Sequence, residues 1–369
     1  MTGDQGLLLY IGTYTKPTAP ERPRSEGIYV YRFAPDNGTL THLHTVGDVP
    51  NPSFLAIDPA GRFVFAANEE AGIDGHDGGA VSAFARDPQS GDLTFLNREA
   101  SHGDAPCYIA VTPHGRAVTV ANSSSGSAAI LPIGEDGRLA PASYVDQHSG
   151  SSANPQRQQG PHAHSIPIDP SGRFALCPDL GIDQVVIYRL DEAAQTMTPH
   201  RPAGQLAPGT GPRHLVFHPT KPIAYVIGEL ASTITAFNWD AEAGALTEFQ
   251  TVSTLPDDFS GESTCADIHV APSGRFIYGS NRGHDSLAGF AIDEESGRLS
   301  PIGHTPSGGK TPRNFAIEPS GNFLLAANQG SDNVTIFRLD AATGQLTPTG
   351  EVATIPAPVC LEFLPASAR

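Results

Sequence analysis

Lysine is almost missing from this chain. Only three occur in 369 residues (Lys16, Lys221, Lys310), and 39 acidic against 22 basic residues leave a net charge of −17. A protein this acidic repels nucleic acid and anionic membranes, so neither is expected as a partner, and the few cations it keeps carry more weight than usual. Cysteine is sparse as well: Cys107, Cys177, Cys265 and Cys360 stand far apart with no CxxC pair, which points to reduced thiols rather than a disulfide framework or a zinc site. No apolar run is long enough to cross a bilayer. The opening MTGDQGLLLYIGTYT has no basic n-region, so no signal peptide is expected and the expected location is cytoplasmic. There is no HExxH and no G-x-S-x-G, so neither a zincin centre nor a serine nucleophile elbow is encoded.

What the chain has in excess is glycine and proline, 39 and 33 residues, placed in a repeat. Six segments read apolar–x–apolar–x–Pro, usually followed by x-Gly-Arg and a second alternating strand. They are FLAIDPAGRFVFAAN, YIAVTPHGRAVTVAN, SIPIDPSGRFALCPD, HLVFHPTKPIAYVIG, DIHVAPSGRFIYGSN and NFAIEPSGNFLLAAN. Their marker prolines, at 59, 113, 170, 219, 272 and 319, are 54, 57, 49, 53 and 47 residues apart. Proline fixes one turn torsion and glycine two positions on accepts φ > 0, so each marker is a hairpin turn between strands of period two. A third strand, a polar turn and a short fourth strand follow each hairpin.

Four antiparallel strands per repeat of about 50 residues form one propeller blade. The segment from Cys360 repeats a first strand and stops, whereas residues 7–47 begin at a second strand. The expected fold is therefore all-β, a single seven-bladed β-propeller domain over 1–369. It is closed by pairing of the N- and C-terminal segments in one blade, which removes free strand edges.

Aligned on the marker proline, the residues that start each inner strand are Ser53, Cys107, His164, Arg213, Ala266, Arg313 and Val359, and the next are Phe54, Tyr108, Ser165, His214, Asp267, Asn314 and Cys360. A hairpin returns to its own edge, so the ends of the second strands share that rim: Glu69, Ser123, Leu180, Glu229, Arg282, Gln329 and Thr13. A neighbouring column of Asn68, Asn122, Asn281 and Asn328 reads as strand capping by a residue that tolerates αL.

The variable columns do not read as structure. Adjacent blades supply His164, then Arg213 with Glu229, then Asp267 with Arg282, then Arg313. Two guanidinium groups about 6 Å apart repel by roughly 3 kcal/mol at an effective dielectric near 20. Glu229 and Asp267 offset part of that, and a bound anion would offset more. Arginine is also suited to forked recognition of carboxylate or phosphate.

Most of the 14 histidines, among them His42, His44, His200 and His218, are expected on strand or turn surfaces. His162-Ala163-His164 and Asp267-Ile268-His269 stand apart, but HxH alone does not make a metal site, and no metal or cofactor is expected. Three loops exceed what a blade needs: 69–79, 145–161 and 254–266. The last two lead into the His164 and Asp267 positions and read as pocket walls or lids.

At GPHAHS (160–165), GTGPRHLVFHP (209–219), GEL (228–230), ADIHVAPSGRFIYGSNR (266–282) and PRNFAIEPSGNFLLAANQ (312–329) the chain resembles the lactonase family of seven-bladed propellers, which includes propeller-type 6-phosphogluconolactonases and carboxy-cis,cis-muconate cyclases. The resemblance covers nearly the whole chain. It implies a catalytic set of His164, Arg213, Glu229 and Arg282, with His162 close enough to take the histidine role. It also implies hydrolysis of a sugar lactone, 6-phospho-D-glucono-1,5-lactone of the pentose phosphate pathway, by a monomer or homodimer.

For that chemistry Glu229 or His164 is the expected base and Arg213 or Arg282 the oxyanion partner. Arg313 and Lys310, with Arg282 as a further candidate, are expected to hold the phosphate, with His162, Asp267 and His269 completing the substrate contacts. The same residues suit a muconate-type cycloisomerase. A binding scaffold is a third reading, since fold does not fix function.

Overall fold

The computed structural model describes residues 6–16, 25–73 and 75–364. The repeats form seven antiparallel sheets, numbered here as blades 1 to 7 in chain order. In blade 1 the last strand, Pro358–Phe363, pairs with the first, Leu7–Thr13, so the two ends of the chain share one four-stranded sheet. The inner strands of blades 2, 3, 5, 6 and 7 are Pro52–Ile57, Pro106–Val111, Pro212–Phe217, Thr264–Val270 and Pro312–Ile317. Seven apolar clusters hold the described residues together, each between the faces of two successive blades. One joins Phe174, Leu176 and Ile187 of blade 4 to Leu215, Val226 and Trp239 of blade 5; another joins Leu9 and Phe33 of blade 1 to Phe323 and Ile336 of blade 7.

Blade 4 departs from the four-stranded pattern. Its inner segment touches the second strand, Phe174–Asp179, only through the isolated bridges Ala163↔Asp179 and Ile168↔Ala175, and the ladder has three strands. Pro167 has no N–H to donate; its carbonyl accepts Leu176 N at 2.9 Å.

The marker turns carry their own acceptor just before the proline. Asp58 Oδ1 accepts the N–H groups of Arg62 and Phe63, Asp169 Oδ1 those of Arg173 and Phe174, and Thr112 Oγ1 those of Arg116 and Ala117. His218 does the same through Nδ1 and donates from Nε2 to Gly274 O at 2.9 Å in blade 6. The expectation of a surface histidine fails here: His218 is buried because it staples two blades.

The asparagine column is structural, by a different route from the one expected. None of the four has positive φ. Each donates its side-chain amide to a carbonyl on the connection from the preceding blade: Asn68 to Pro50, Asn122 to Ser101, Asn281 to Thr254 and Asn328 to Ser307, at 2.7–3.1 Å.

One irregularity positions the site. In six blades the ladder between inner and second strands is broken by a bulge at the rim, leaving Ser53, Cys107, Arg213, Arg313 and Val359 unpaired, with Ala266 and Asp267 in blade 6. A bulge suspends the two-residue alternation and re-aims side chains. Consecutive residues such as Arg213 and His214 can then both contribute to the channel.

Candidate active site

Arg213 and Glu229 leave the two strands of the blade 5 hairpin at the same rim and meet there, Arg213 Nε donating to Glu229 Oε2 at 3.0 Å. Both side chains are buried, each 3% exposed. Arg282, at the end of the second strand of blade 6, forms an ion pair with the same Oε2, its Nη2 2.8 Å away, and donates Nη2 to Cys265 O at 2.7 Å. Its buried Nε has no partner among the described residues. The other carboxylate oxygen, Oε1, accepts Nη2 of Arg157 at 2.9 Å. Arg157 comes from the long loop between blades 3 and 4.

Glu229 thus sits in a three-arginine clamp. Burial alone would raise its pKa, but the guanidinium groups of Arg282, Arg213 and Arg157 hold it down at about 2. The arginines are under strain of their own: burial, then Arg313 and Arg282, push Arg213 down to about 10.

Arg313 joins this field from blade 7, its guanidinium 5.4 Å above the Tyr14 ring, and the Tyr14 hydroxyl donates to Glu69 Oε2 at 2.8 Å. His164 lies on the blade 4 side, with Nδ1 3.4 Å from Cys107 Sγ and its ring 5.7 Å from that of His214. Burial, then Arg213, keep the His164 imidazole neutral, well below its ordinary pKa, and burial pushes the Cys107 thiol up to about 12. His162 makes different contacts. Its ring bonds Ser123 O at 2.8 Å and its backbone N–H bonds Asp179, with no hydrogen bond or ion pair to Glu229 or the arginines among the described residues.

The chain matches the sequence profile of the family described as "Lactonase, 7-bladed beta-propeller" over residues 8–363. It belongs to that lactonase family. It is 35% identical to the 6-phosphogluconolactonase of Bacillus subtilis (strain 168) over 355 residues, 96% of this chain and 97% of that one. Among solved structures it superposes on a Bacteroides fragilis NCTC 9343 protein with a TM-score of 0.90 at 37% identity, covering 99% of both chains. It also superposes on the Pseudomonas aeruginosa periplasmic gluconolactonase with a TM-score of 0.87 at 35% identity, covering 97% of this chain and 99% of the other.

Asp267, His269 and Lys310, grouped with the arginines from sequence, lie elsewhere in this lactonase. Asp267 and His269 do not share a pocket with the arginines. Phe54 and Tyr108 pack tilted against each other at 4.3 Å between ring centroids, both meet His214 edge to face at 5.9 and 5.4 Å, and the three rings form a floor below the clamp. Asp267 and His269 line the lower channel, a space of about 390 Å³ that also contains Glu362. The blade 6 bulge takes in Asp267, and His269, two residues on, follows it down the strand.

Lys310 is the second departure. It is exposed, its backbone N–H bonds Ser331 Oγ, and its ammonium makes no hydrogen bond or ion pair among the described residues. Thr311, at φ +57°, turns the chain between Lys310 and the inner strand that carries Arg313. A groove of about 670 Å³ between the outer strands of blades 3 and 4 contains none of these residues; it lacks the convergent arginines on which the chemistry depends.

The lower layer still bears on the clamp. Asp267 accepts five hydrogen bonds, from His214 Nδ1 (2.8 Å), His269 Nε2 (3.0 Å), Asn314 Nδ2 (2.6 Å) and the backbone N–H groups of Ile268 and Phe315. Burial would raise its pKa; His269 and His214 hold it below the usual carboxylate range. Burial and Arg213 push His214 down to about 4, so the ring is neutral at pH 7. With Nδ1–H committed to Asp267, its Nε2 accepts Arg213 Nη1 at 3.1 Å. Asp267 therefore sets the tautomer that steadies Arg213.

Asp267→Asn turns an amide N–H₂ toward donors. The expected cost is roughly 3–5 kcal/mol in urea unfolding, with a loss of lactonase activity of about tenfold or more as Arg213 loses its support. A variant within about 1 kcal/mol of wild type would show that Asp267 is not the hub of this layer.

Proposed function

We propose that the chain hydrolyses 6-phospho-D-glucono-1,5-lactone to 6-phosphogluconate at the rim where Arg213, Arg282 and Arg157 converge on Glu229. The observation that carries this reading is the charge balance there. Four arginines (157, 213, 282 and 313) and two carboxylates (Glu69 and Glu229) interact in one electrostatic neighbourhood, a surplus of two positive charges in a chain of net charge −17. The surplus matches one phosphomonoester, which carries about −1.5 to −2 at neutral pH. The Bacillus relative's name supports the same substrate.

In this reading water adds to the lactone carbonyl carbon while Glu229 takes its proton. Arg213 and Arg282 stabilise the negative charge that develops on the carbonyl oxygen. The bond from C1 to the ring oxygen then breaks, the ring oxygen takes up a proton, and the open-chain acid ionises to solvent. His164 supplies a neutral imidazole whose Nε2 makes no hydrogen bond among the described residues, a free position for water or a sugar hydroxyl. Arg313 takes the phosphate.

Steady-state rates on the phosphorylated lactone, plain glucono-1,5-lactone and a muconate diacid test this. The expected order puts the phosphorylated lactone first, by about tenfold or more in kcat/KM over the plain one. The gluconolactonase among the structural neighbours makes the plain lactone the necessary comparison. No lactone hydrolysis above the spontaneous rate, or turnover of the diacid alone, overturns the assignment.

A further inference from the structure

Arg157 is unlike the other members of the clamp. Arg213 and Arg282 hold Glu229 Oε2 from strand positions and are 3% and 15% exposed; Arg157 holds Oε1 from a loop and is 48% exposed. The loop backbone is well fixed. Arg157 N–H donates to Asn154 Oδ1 at 3.0 Å, Gln158 N–H to Asn154 O at 2.8 Å, and the Gln158 amide to Leu180 O at 2.8 Å. The side chain that leaves this anchored base spends a single N–H on Glu229, and its remaining donors have no partner among the described residues. Because its guanidinium is half-solvated, water can take over the donor it gives up, and it moves to another anion more readily than the buried Arg213 or Arg282.

That move has a chemical consequence. Oε2 is taken by Arg213 and Arg282, and Arg157 fills one of the two acceptor positions of Oε1, so the position left for the attacking water sits beside a cation that lowers its basicity. The charged and titratable groups that face it are Arg213 and the Cys265 segment from the strands, Arg282 and Arg313 from the neighbouring blades, and Arg157 from the loop. Only Arg157 among them is exposed enough to follow a ligand. The lactone ring is uncharged, so the phosphate is the one anion of the substrate that can attract it.

We propose that Arg157 is a specificity-determining residue that leaves Glu229 Oε1 for the substrate's phosphate, so that the base reaches its full strength when a phosphorylated lactone is bound. This rests on the reading of the site given above and deepens it. Binding energy from a remote part of the substrate is spent on kcat rather than on KM alone. The three-arginine field that holds Glu229 near pKa 2 then loses one member in the productive complex, and the carboxylate becomes a stronger base.

The test compares wild type with Arg157→Ala on the phosphorylated and plain lactones, and adds inorganic phosphite to the plain lactone. In wild type, phosphite is expected to raise kcat on the plain lactone by about tenfold, acting as the missing piece of the substrate. In Arg157→Ala the phosphite effect disappears. The plain lactone is turned over several-fold faster because Glu229 is less tightly held, and the phosphorylated lactone falls by about tenfold or more, so the preference collapses by about 10². The free-enzyme acid limb of kcat/KM also moves upward in the variant. Equal losses on both lactones, or an unchanged ratio with no phosphite activation in wild type, overturn the proposal while leaving the hydrolytic reading intact. A wild type inactive on both lactones removes the reading and the proposal together.

Discussion

Glu229→Gln is expected to lower kcat/KM for the lactone by about 10²–10⁴, the range for loss of a general base, and to weaken the fold as well. The substitution keeps the shape of the side chain but removes the charge that three guanidinium groups share. An amide also presents an N–H₂ where the carboxylate presented an acceptor, so one arginine faces a donor. Breaking a buried pair from one side costs roughly 3–5 kcal/mol, and added sulfate or phosphate is expected to recover part of that by binding the uncompensated arginines.

The acid side of the stability curve carries the same signature. The folded pKa of Glu229, about 2, lies below the ordinary 4.5. Its contribution is therefore fully present above the ordinary value and lost as pH falls through the folded one. Wild type is expected to lose on the order of 3 kcal/mol over that window from this group, and Glu229→Gln to lack that part of the acid dependence. Wild-type kcat/KM in the variant would remove Glu229 from the mechanism.

The ring and three of the clamp's four residues were legible from sequence for one reason. A fixed repeat turns distant residues into equivalent positions, and Arg213, Glu229 and Arg282 break the pattern at a shared rim. Arg157 escaped because a loop has no period. Its reach to a residue 72 positions on is set by the turn at Asn154, and the only hint was a lone arginine in an overlong loop. His214 escaped for a different reason: it follows Arg213, and strict alternation would send one of the two away from the channel, whereas the bulge at Pro212/His214 breaks that alternation. The grouping of Asp267 and His269 with the arginines failed for want of the aromatic floor, since Phe54 and Tyr108 are neighbours of His214 only after the ring has closed. Lys310 shows the limit of proximity in sequence: three residues from Arg313, it lies across a turn.

Truncation after Ala357 is expected to have the largest effect on stability, and to reach the chemistry too. The strand it removes, Pro358–Phe363, with the adjoining Leu364, buries Val359, Leu361, Phe363 and Leu364 to 9% exposure or less. At roughly 1.5–3 kcal/mol each, these four match the whole stability of an ordinary domain, about 5–15 kcal/mol. The truncated chain would also leave Leu7–Thr13 with an open edge.

The same strand is wired to the clamp. Leu361 N–H donates to Asn314 Oδ1 at 2.7 Å, Asn314 Nδ2 to Asp267 Oδ2 at 2.6 Å, His214 Nδ1 to Asp267 Oδ1 at 2.8 Å, and Arg213 Nη1 meets His214 Nε2 at 3.1 Å. Closure of the ring in blade 1 is thus linked through blades 7 and 6 to the arginine of blade 5. A truncated protein that stays soluble, melts cooperatively at the wild-type temperature and hydrolyses lactone at the wild-type rate would show that neither the ring nor the clamp depends on this strand. Leu361→Ala gives the graded version: it is expected to lose about 2–5 kcal/mol while keeping the backbone bond to Asn314, so its remaining folded fraction should retain near-native activity.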